Sequence, residues 1–162
     1  LTTRKLSGQF PNYEMVIPKD NDKKAIFDSG ELKRAVDRVA LMADERTRSI
    51  RLTVREGEIE VSAQSSEEGE GHEQVPVEYT GEEVELGFNS QYLQEFLYIV
   101  TSAEMEATET ENETEGEMVK VKETGVKPKI AFEFKDSNGQ TQMSFAGETE
   151  YDYKYIVMPL RI

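Results

Sequence analysis

The 162-residue sequence has no cysteine, which excludes a disulfide framework and any metal site built from thiolates. It has a single histidine, His72, in a stretch rich in Glu and Gly, so a histidine-based metal site or catalytic dyad is not expected. No apolar run approaches the roughly 20 residues that a membrane-spanning helix requires, and the first residues do not resemble a signal peptide. These absences predict a soluble, cytoplasmic protein.

Positive charge is also scarce. The chain has 19 Lys and Arg residues against 33 Asp and Glu residues, a formal net charge of −14, and an isoelectric point near 4.6. A protein that binds nucleic acid neutralises phosphates with a basic surface, so this balance argues against such a function. The argument fails only if the positive charge is concentrated on one part of the structure.

Catalytic signatures are missing as well. The sequence contains no GxxxxGK[ST] loop, no GxGxxG after a strand and no GxSxG elbow. The abundant Glu residues cluster in loops, with no spacing that directs them at a common site. We therefore expect a binding or structural module with no catalytic residues, no cofactor and no metal. A small enzyme using carboxylates with a divalent metal, and an acidic structural scaffold, remain the alternatives.

Two helices are predicted from apolar spacing and capping residues. Asp28 to Glu31 has the pattern of a capping box, and after it Leu32, Val36, Val39 and Ala43 fall on one helical face. The opposite face contains Lys33, Arg34, Asp37, Arg38 and Leu41. Asn89 is the predicted cap of a second helix, SQYLQEFLYIV, which has apolar residues at the i, i+3, i+4 and i+7 positions.

Strands are predicted wherever the apolar period changes to two. The segment SIRLTVREGEIEVSAQ alternates around a turn at Glu56-Gly57, and EQVPVEYTGEEVELGF predicts two more strands divided at Thr80-Gly81. Near the end of the chain, Asn138-Gly139 separates two alternating runs and predicts a hairpin, and a last strand covers Tyr153 to Val157. Pairing should stop near Pro159, which has no N–H to donate.

Three segments fall outside these elements. Residues 1–22 read as a connector, 67–71 as an exposed loop, and about 101–127, rich in Glu and Thr, as a solvated and flexible insertion. The remaining order is one strand, a helix, four strands, a second helix and three strands. This order predicts an α+β fold with an antiparallel sheet and two helices on one face.

Four segments in order, LSGQFPNYEMVIP, LKRAVDRVALMADERTRSIRL, LGFNSQYLQEFL and YIVMPLRI, resemble the C-terminal part of the bacterial DNA polymerase III beta subunit, the sliding clamp. The informative motifs are FPxYxxVIP, GFNxxYL and the terminal V-M-P-[LM]-R-[IVL]. The resemblance implies a non-catalytic processivity subunit with three copies of one fold per chain. It places residues 1–22 at the end of the second domain and its linker, and 23–162 in the third, and it suggests that this chain is a piece of a longer protein.

Members of that family form a head-to-tail homodimeric ring that encircles duplex DNA during replication, and the resemblance therefore implies DNA-facing and interface residues. Lys33, Arg34 and Arg38 on the first helix are expected to face the phosphates without reading sequence. Leu41 and Met42 match an apolar pair at the subunit interface. The acidic residues Glu67, Glu68 and Glu70 are expected to face the basic first domain of the neighbouring subunit.

The resemblance also implies a pocket in which the polymerase, the clamp loader and repair proteins insert short apolar peptides. The matching positions are Pro11, Met15, Val16, Thr47, Asn89, Tyr92, Ile156, Val157, Met158, Pro159, Leu160, Arg161 and Ile162. Met15 and Thr47 depart from the Arg and the larger, often aromatic, residue expected there, and the wall supplied by the second domain is not in this chain. Peptide affinity is therefore expected to be reduced.

Overall fold

A computed structural model describes residues 12–67, 69–110, 128–146 and 152–161, with side chains from 103 to 110 not included. The helices and strands, in chain order, are β1 (Lys23–Asp28), α1 (Ser29–Val39), β2 (Ser49–Arg55), β3 (Glu58–Ser65), β4 (Gly69–Pro76), β5 (Val84–Asn89), α2 (Ser90–Thr110), β6 (Lys129–Phe134), β7 (Thr141–Phe145) and β8 (Lys154–Val157). Short 3-10 helices cover Tyr13–Met15 and Ala40–Met42. The predicted order of elements is thus observed.

The eight strands form two four-stranded antiparallel sheets. The first sheet has the order β1-β6-β7-β8 and the second β4-β3-β2-β5. The predicted α+β class with two helices and antiparallel strands is confirmed, and the structure adds the division into two sheets. Alternation along a strand indicates which face is buried but not which sheet the strand joins, so this division is not evident from the sequence.

The two halves of the chain repeat one topology. Each half has a strand, a helix and then three antiparallel strands, and its first strand pairs with the sheet of the other half: β1 with β6, and β5 with β2. Two isolated bridges also occupy equivalent positions in the two halves. Ile26 of β1 pairs with Glu78 after β4, and Gly87 of β5 pairs with Leu160 after β8. The halves are therefore held together by backbone hydrogen bonds as well as by side-chain packing.

Capping residues begin both helices as predicted. The Asp28 carboxylate accepts a hydrogen bond from the Glu31 N–H at 2.8 Å, and the Asn89 side-chain oxygen accepts one from the Gln91 N–H at 2.9 Å. The predicted apolar face of α1 is buried, and Leu41 on the opposite face is exposed. The buried residues of α2 are Leu93, Phe96, Leu97 and Val100, at the spacing that the sequence predicts.

Aromatic side chains connect the two sheets. Phe132 of β6 is 1% exposed, and its ring centroid lies 6.0 Å from that of Phe88 on β5 and 5.1 Å from that of Phe134. Near α2, the Phe96 ring packs on Tyr153 and Tyr155 at centroid distances of 6.0 and 5.2 Å. Because the rings come from both sheets and one helix, the core is continuous across the domain.

Two predicted boundaries were wrong. The segment 67–71 is not a loop throughout, because β4 begins at Gly69 and pairs with β3 from Ser65↔Gly69 onward. Ladder hydrogen bonds use backbone groups, so this polar edge strand forms without the alternation that predicts strands. The second helix extends to Thr110, ten residues into the predicted insertion, where Ala and Glu favour helix. Residues 111–127 of the predicted insertion, and residues 1–11 of the predicted connector, lie outside the described residues.

Candidate functional site

The segment after β8 crosses from the first sheet to the second. Strand β8 ends at Val157, close to where Pro159 was predicted to stop the pairing, and Pro159 is buried. The Leu160 N–H then donates a hydrogen bond of 2.7 Å to the Gly87 carbonyl of β5, a contact that the sequence does not predict. Met158, 57% exposed, lies between the two paired points. An apolar side chain is therefore displayed on an anchored backbone.

The predicted residues of the second helix lie close to this segment. Residues 158–161, here called the tail, and the start of α2 form one corner of the domain. Gly87, where the tail pairs, is two residues before Asn89, and Tyr92 is exposed in the first turn of α2. The pKa of Tyr155 on β8 is raised, mainly by burial and also by the charges of neighbours that include Glu95 and Tyr92. The start of α2, strand β8 and the tail thus form one mixed apolar and polar surface.

Thr47 lies in a hydrogen-bonded turn beside this corner. The Asp44 carboxylate accepts hydrogen bonds from the N–H groups of Arg46 and Thr47, each at 3.0 Å, and from the Thr47 hydroxyl at 3.3 Å. Arg48 has a positive φ of 48°, and its carbonyl accepts the Ser90 N–H at 2.8 Å. The turn therefore places Thr47 next to the start of α2.

The turn around Asp44 should be sensitive to acid. Hydrogen bonds from the backbone of Thr47 and then Arg46 lower the pKa of Asp44. A lowered folded-state pKa contributes stability that is present above the unfolded pKa of about 4 and is lost as the pH falls through the folded value. Asp44→Ala should therefore lower the urea midpoint at pH 7 and change it little at pH 2. An equal fall in the urea midpoint at the two pH values would contradict this. The other carboxylates titrate in both proteins, so their effect cancels when the variant is compared with the unmodified chain at each pH.

The linker residues Met15 and Val16 are exposed in and after the first 3-10 helix. The Lys154 ammonium, whose pKa is raised first by its hydrogen bond with Asp152, also interacts with Tyr13, so the linker passes near β8. Further on, the Asn21 amide donates to the Glu133 carbonyl at 3.0 Å. Pro11 and Ile162 lie outside the described residues. The structure places Thr47, Asn89 and Tyr92 around the start of α2, close to the point where the tail pairs with Gly87, and leaves Met15 and Val16 exposed on the linker.

The three predicted DNA-facing cations differ in their contacts. Lys33 forms an ion pair with Asp37 one turn later, at 2.5 Å. Arg38 donates from Nε and Nη2 to the two carboxylate oxygens of Glu73 on β4. Arg34 is exposed and forms no ion pair with any residue that the structure describes. Of the three cations, Arg34 is therefore the one most available to contact a phosphate.

The predicted interface residues lie around strand β4, at the edge of the second sheet. Leu41 is 72% exposed in the 3-10 helix after α1, and Met42 is half-buried against Gly71 of β4. Glu67 and Glu70 are exposed at the β3–β4 turn and on β4, and Glu68 lies outside the described residues. Gly71 and Glu73, which contact this region from β4, were missed because no local pattern shows that a strand residue faces a helix.

An open groove of about 490 Å³ connects the end of α1 with the start of α2. Its lining includes Leu41, Arg48, Ser90 and Gln94, and the Gln94 amide donates to the Asp37 carboxylate at 3.0 Å. The groove between the two helices therefore reaches the start of α2.

Within the described residues, no group of three or more His, Asp or Glu side chains is placed to hold a metal ion. None of the described helices combines the length and apolar character needed to cross a membrane.

Residues 14–108 match the family model for the DNA polymerase III beta subunit, C-terminal domain. The chain belongs to this family. The resemblance seen in the sequence is thereby confirmed, and the family is that of a non-catalytic subunit.

Similar proteins cover nearly the whole chain. It is 35% identical over 162 residues to the beta sliding clamp of Caulobacter vibrioides and 30% identical over 161 residues to that of Pseudomonas putida, covering 100% and 99% of this chain. The crystal structure of the DNA polymerase sliding clamp from Pseudomonas aeruginosa matches 97% of this chain with a TM-score of 0.76 and 30% identity. The chain spans only 36% of the length of each of these three proteins.

Proposed function

We propose that this chain acts as the C-terminal domain of a bacterial replicative sliding clamp. In this proposal residues 1–22 are the end of the preceding domain and its linker, and 23–162 form the third domain of a cytoplasmic, homodimeric ring around duplex DNA. The domain has no catalytic role and tethers the polymerase, the clamp loader and repair proteins by binding their short apolar peptides. The observed start of β1 at Lys23 supports the division.

The observation that carries the proposal is the crossing of the tail between the two sheets. It displays Met158 on an anchored backbone, and beside it lie Asn89, Tyr92 and Thr47. A peptide site requires apolar walls with a few fixed polar groups that orient the ligand. The corner supplies both, and the side chains of Asn89 and Thr47 are held by hydrogen bonds before any ligand arrives.

The interface part of the proposal concerns the edge strand β4. Its outer edge pairs with no other described strand, and Leu41 and Met42 lie beside it. An unpaired strand edge next to an exposed apolar side chain is suited to pair with a strand of a second subunit. Glu67, Glu68 and Glu70 would then favour a basic partner surface.

The DNA part of the proposal is tested by Arg34→Gln in the intact ring. Because Arg34 has no described ion-pair partner, its loss should weaken retention on circular duplex DNA and lower the slope of log affinity against log salt by about 1. Retention is measured at several salt concentrations.

Arg55→Gln is the matched control. It removes the same charge, but Arg55 is paired with Glu58, Glu60 and Glu83 on the second sheet. If the Arg34→Gln ring has the same salt slope as the unmodified ring, Arg34 does not belong to the DNA-facing surface. The same conclusion follows if Arg55→Gln changes the slope equally.

A further inference from the structure

Edge strand β4 has an unusual inner face. Three residues of β4, Val75, Glu73 and Gly71, pair with Ile59, Val61 and Ala63 of β3. The three β3 residues are buried. Because paired residues point to the same face of a sheet, the three β4 residues face the helix side. Val75 is buried, Glu73 is charged, and Gly71 has no side chain. Hydrophobic packing therefore holds the C-terminal half of β4, while the half from Gly69 to Glu73 is held by its backbone pairing with β3 and by other side-chain contacts.

The first of these contacts is the ion pair between Arg38 and Glu73. The guanidinium donates from two nitrogens to both oxygens of the carboxylate, the bidentate geometry that makes such pairs strong. The hydrogen bond lowers the pKa of Glu73 and raises that of Arg38, so both groups are held in their charged forms. The Glu73 side chain is only 28% exposed, against 58% for Arg38.

The second contact is the close approach of Met42 to Gly71. A Cβ on Gly71 would lie 2.9 Å from the Met42 Cγ, so the absence of a side chain lets the 3-10 helix pack directly against the strand. The ion pair and this packing connect the end of α1 and the 3-10 helix after it with the short part of β4 from Gly71 to Glu73. Removing the ion pair would leave an inward-facing carboxylate without its partner, and such a group favours movement of the strand towards water.

We propose that Arg38 is a positioning residue for the edge of β4 and is not a DNA contact. The Nε–Nη2 edge of its guanidinium cannot bind a phosphate without leaving Glu73 unpaired, and its charge is already paired with that carboxylate. By holding β4 in the plane of the sheet, Arg38 keeps the unpaired backbone groups of the strand aligned for a strand of the second subunit. The inference about the second subunit rests on the proposed clamp function, whereas the hold on β4 does not.

Amide hydrogen exchange tests the hold on β4, on the chain alone at a concentration where it is monomeric. Arg38→Gln and Glu73→Gln should each speed exchange in Glu70 to Gln74 by about fivefold, a size typical of the loss of an exposed ion pair. The double variant should be no faster than either single one, and the reversed pair Arg38→Glu with Glu73→Arg should recover most of the protection. Arg34→Gln, the matched control one turn earlier, should leave β4 unchanged.

The second measurement uses the intact ring. Glu73→Gln should raise the dissociation constant of the subunits and leave retention on DNA per ring unchanged. If Arg38 is a DNA contact instead, Glu73→Gln frees the guanidinium, strengthens retention at low salt and leaves β4 exchange as it was; that result overturns the proposal. Faster β4 exchange in both variants of the chain, together with an intact protein that never forms a ring, would refute the clamp function and retain the role of Arg38.

Discussion

Removal of Met158–Ile162 is expected to abolish peptide binding while both sheets stay folded. The truncation takes away the exposed Met158 and the buried Pro159, which form the apolar wall of the proposed pocket. It keeps strand β8, which ends at Val157. The lost Leu160 to Gly87 hydrogen bond is worth about 1 kcal/mol, a small part of the 5–15 kcal/mol that is typical of a domain.

The measurement is a titration with a fluorescent peptide rich in Gln, Leu and Phe, followed by anisotropy, with far-ultraviolet circular dichroism of the same samples. Leu41→Ala is the matched control, because it removes an exposed apolar side chain from a different surface. Saturable binding by the truncated chain with unchanged affinity would refute the pocket. Loss of the circular dichroism signal would show instead that the tail mainly stabilises the core.

Phe132→Ala is expected to have the largest effect on stability, about 3–5 kcal/mol in the free energy of unfolding. Phe132 is almost fully buried, and its ring contacts Phe88 of the other sheet and Phe134 of its own strand. Truncation leaves a cavity between the sheets that rigid strands cannot collapse to fill. A loss of this size is a large part of the total stability of a domain.

Urea unfolding followed by circular dichroism measures this loss. Phe132→Leu keeps most of the volume and should lose clearly less, and Tyr98→Ala, which truncates an exposed aromatic residue, should stay within about 0.5 kcal/mol of the unmodified chain. Similar midpoints for Phe132→Ala and Tyr98→Ala would mean that the packing between the sheets contributes little.

Local signals predicted most of the elements because their causes are local. Asp28 and Asn89 cap helices whatever lies around them, and the turn at Gly57, which has a φ of +80°, requires a residue without a side chain. Strand β4 was placed too late because an edge strand with one half-covered face has no clear alternation. The extension of α2 was missed because an acidic composition favours a solvated helix as readily as a coil.

Motifs indicated some residues of the candidate site, whereas residues whose place depends on tertiary contacts were hidden. Thr47, Asn89 and Tyr92 came from the resemblance, and the structure places Asn89 and Tyr92 at the start of α2 and Thr47 in the adjoining turn. Gly87, Glu73 and Gly71 were missed, because each acquires its role from a partner more than 25 residues away in the chain. The contact of Arg38 with Glu73 was hidden for the same reason, whereas Lys33 and Asp37 are four residues apart on one helix, where helical periodicity places them side by side.

The exchange of first strands between the two halves has a consequence for how this domain can be divided. A cut in the connection at Thr80-Gly81 separates two pieces, each with three strands of one sheet and a single strand that belongs to the other. Neither piece contains a complete sheet, so each would expose an unpaired edge that only the other can cover. The domain is in this sense two interlocked parts that must acquire their final structure together, and folding of one half first would leave it without its fourth strand.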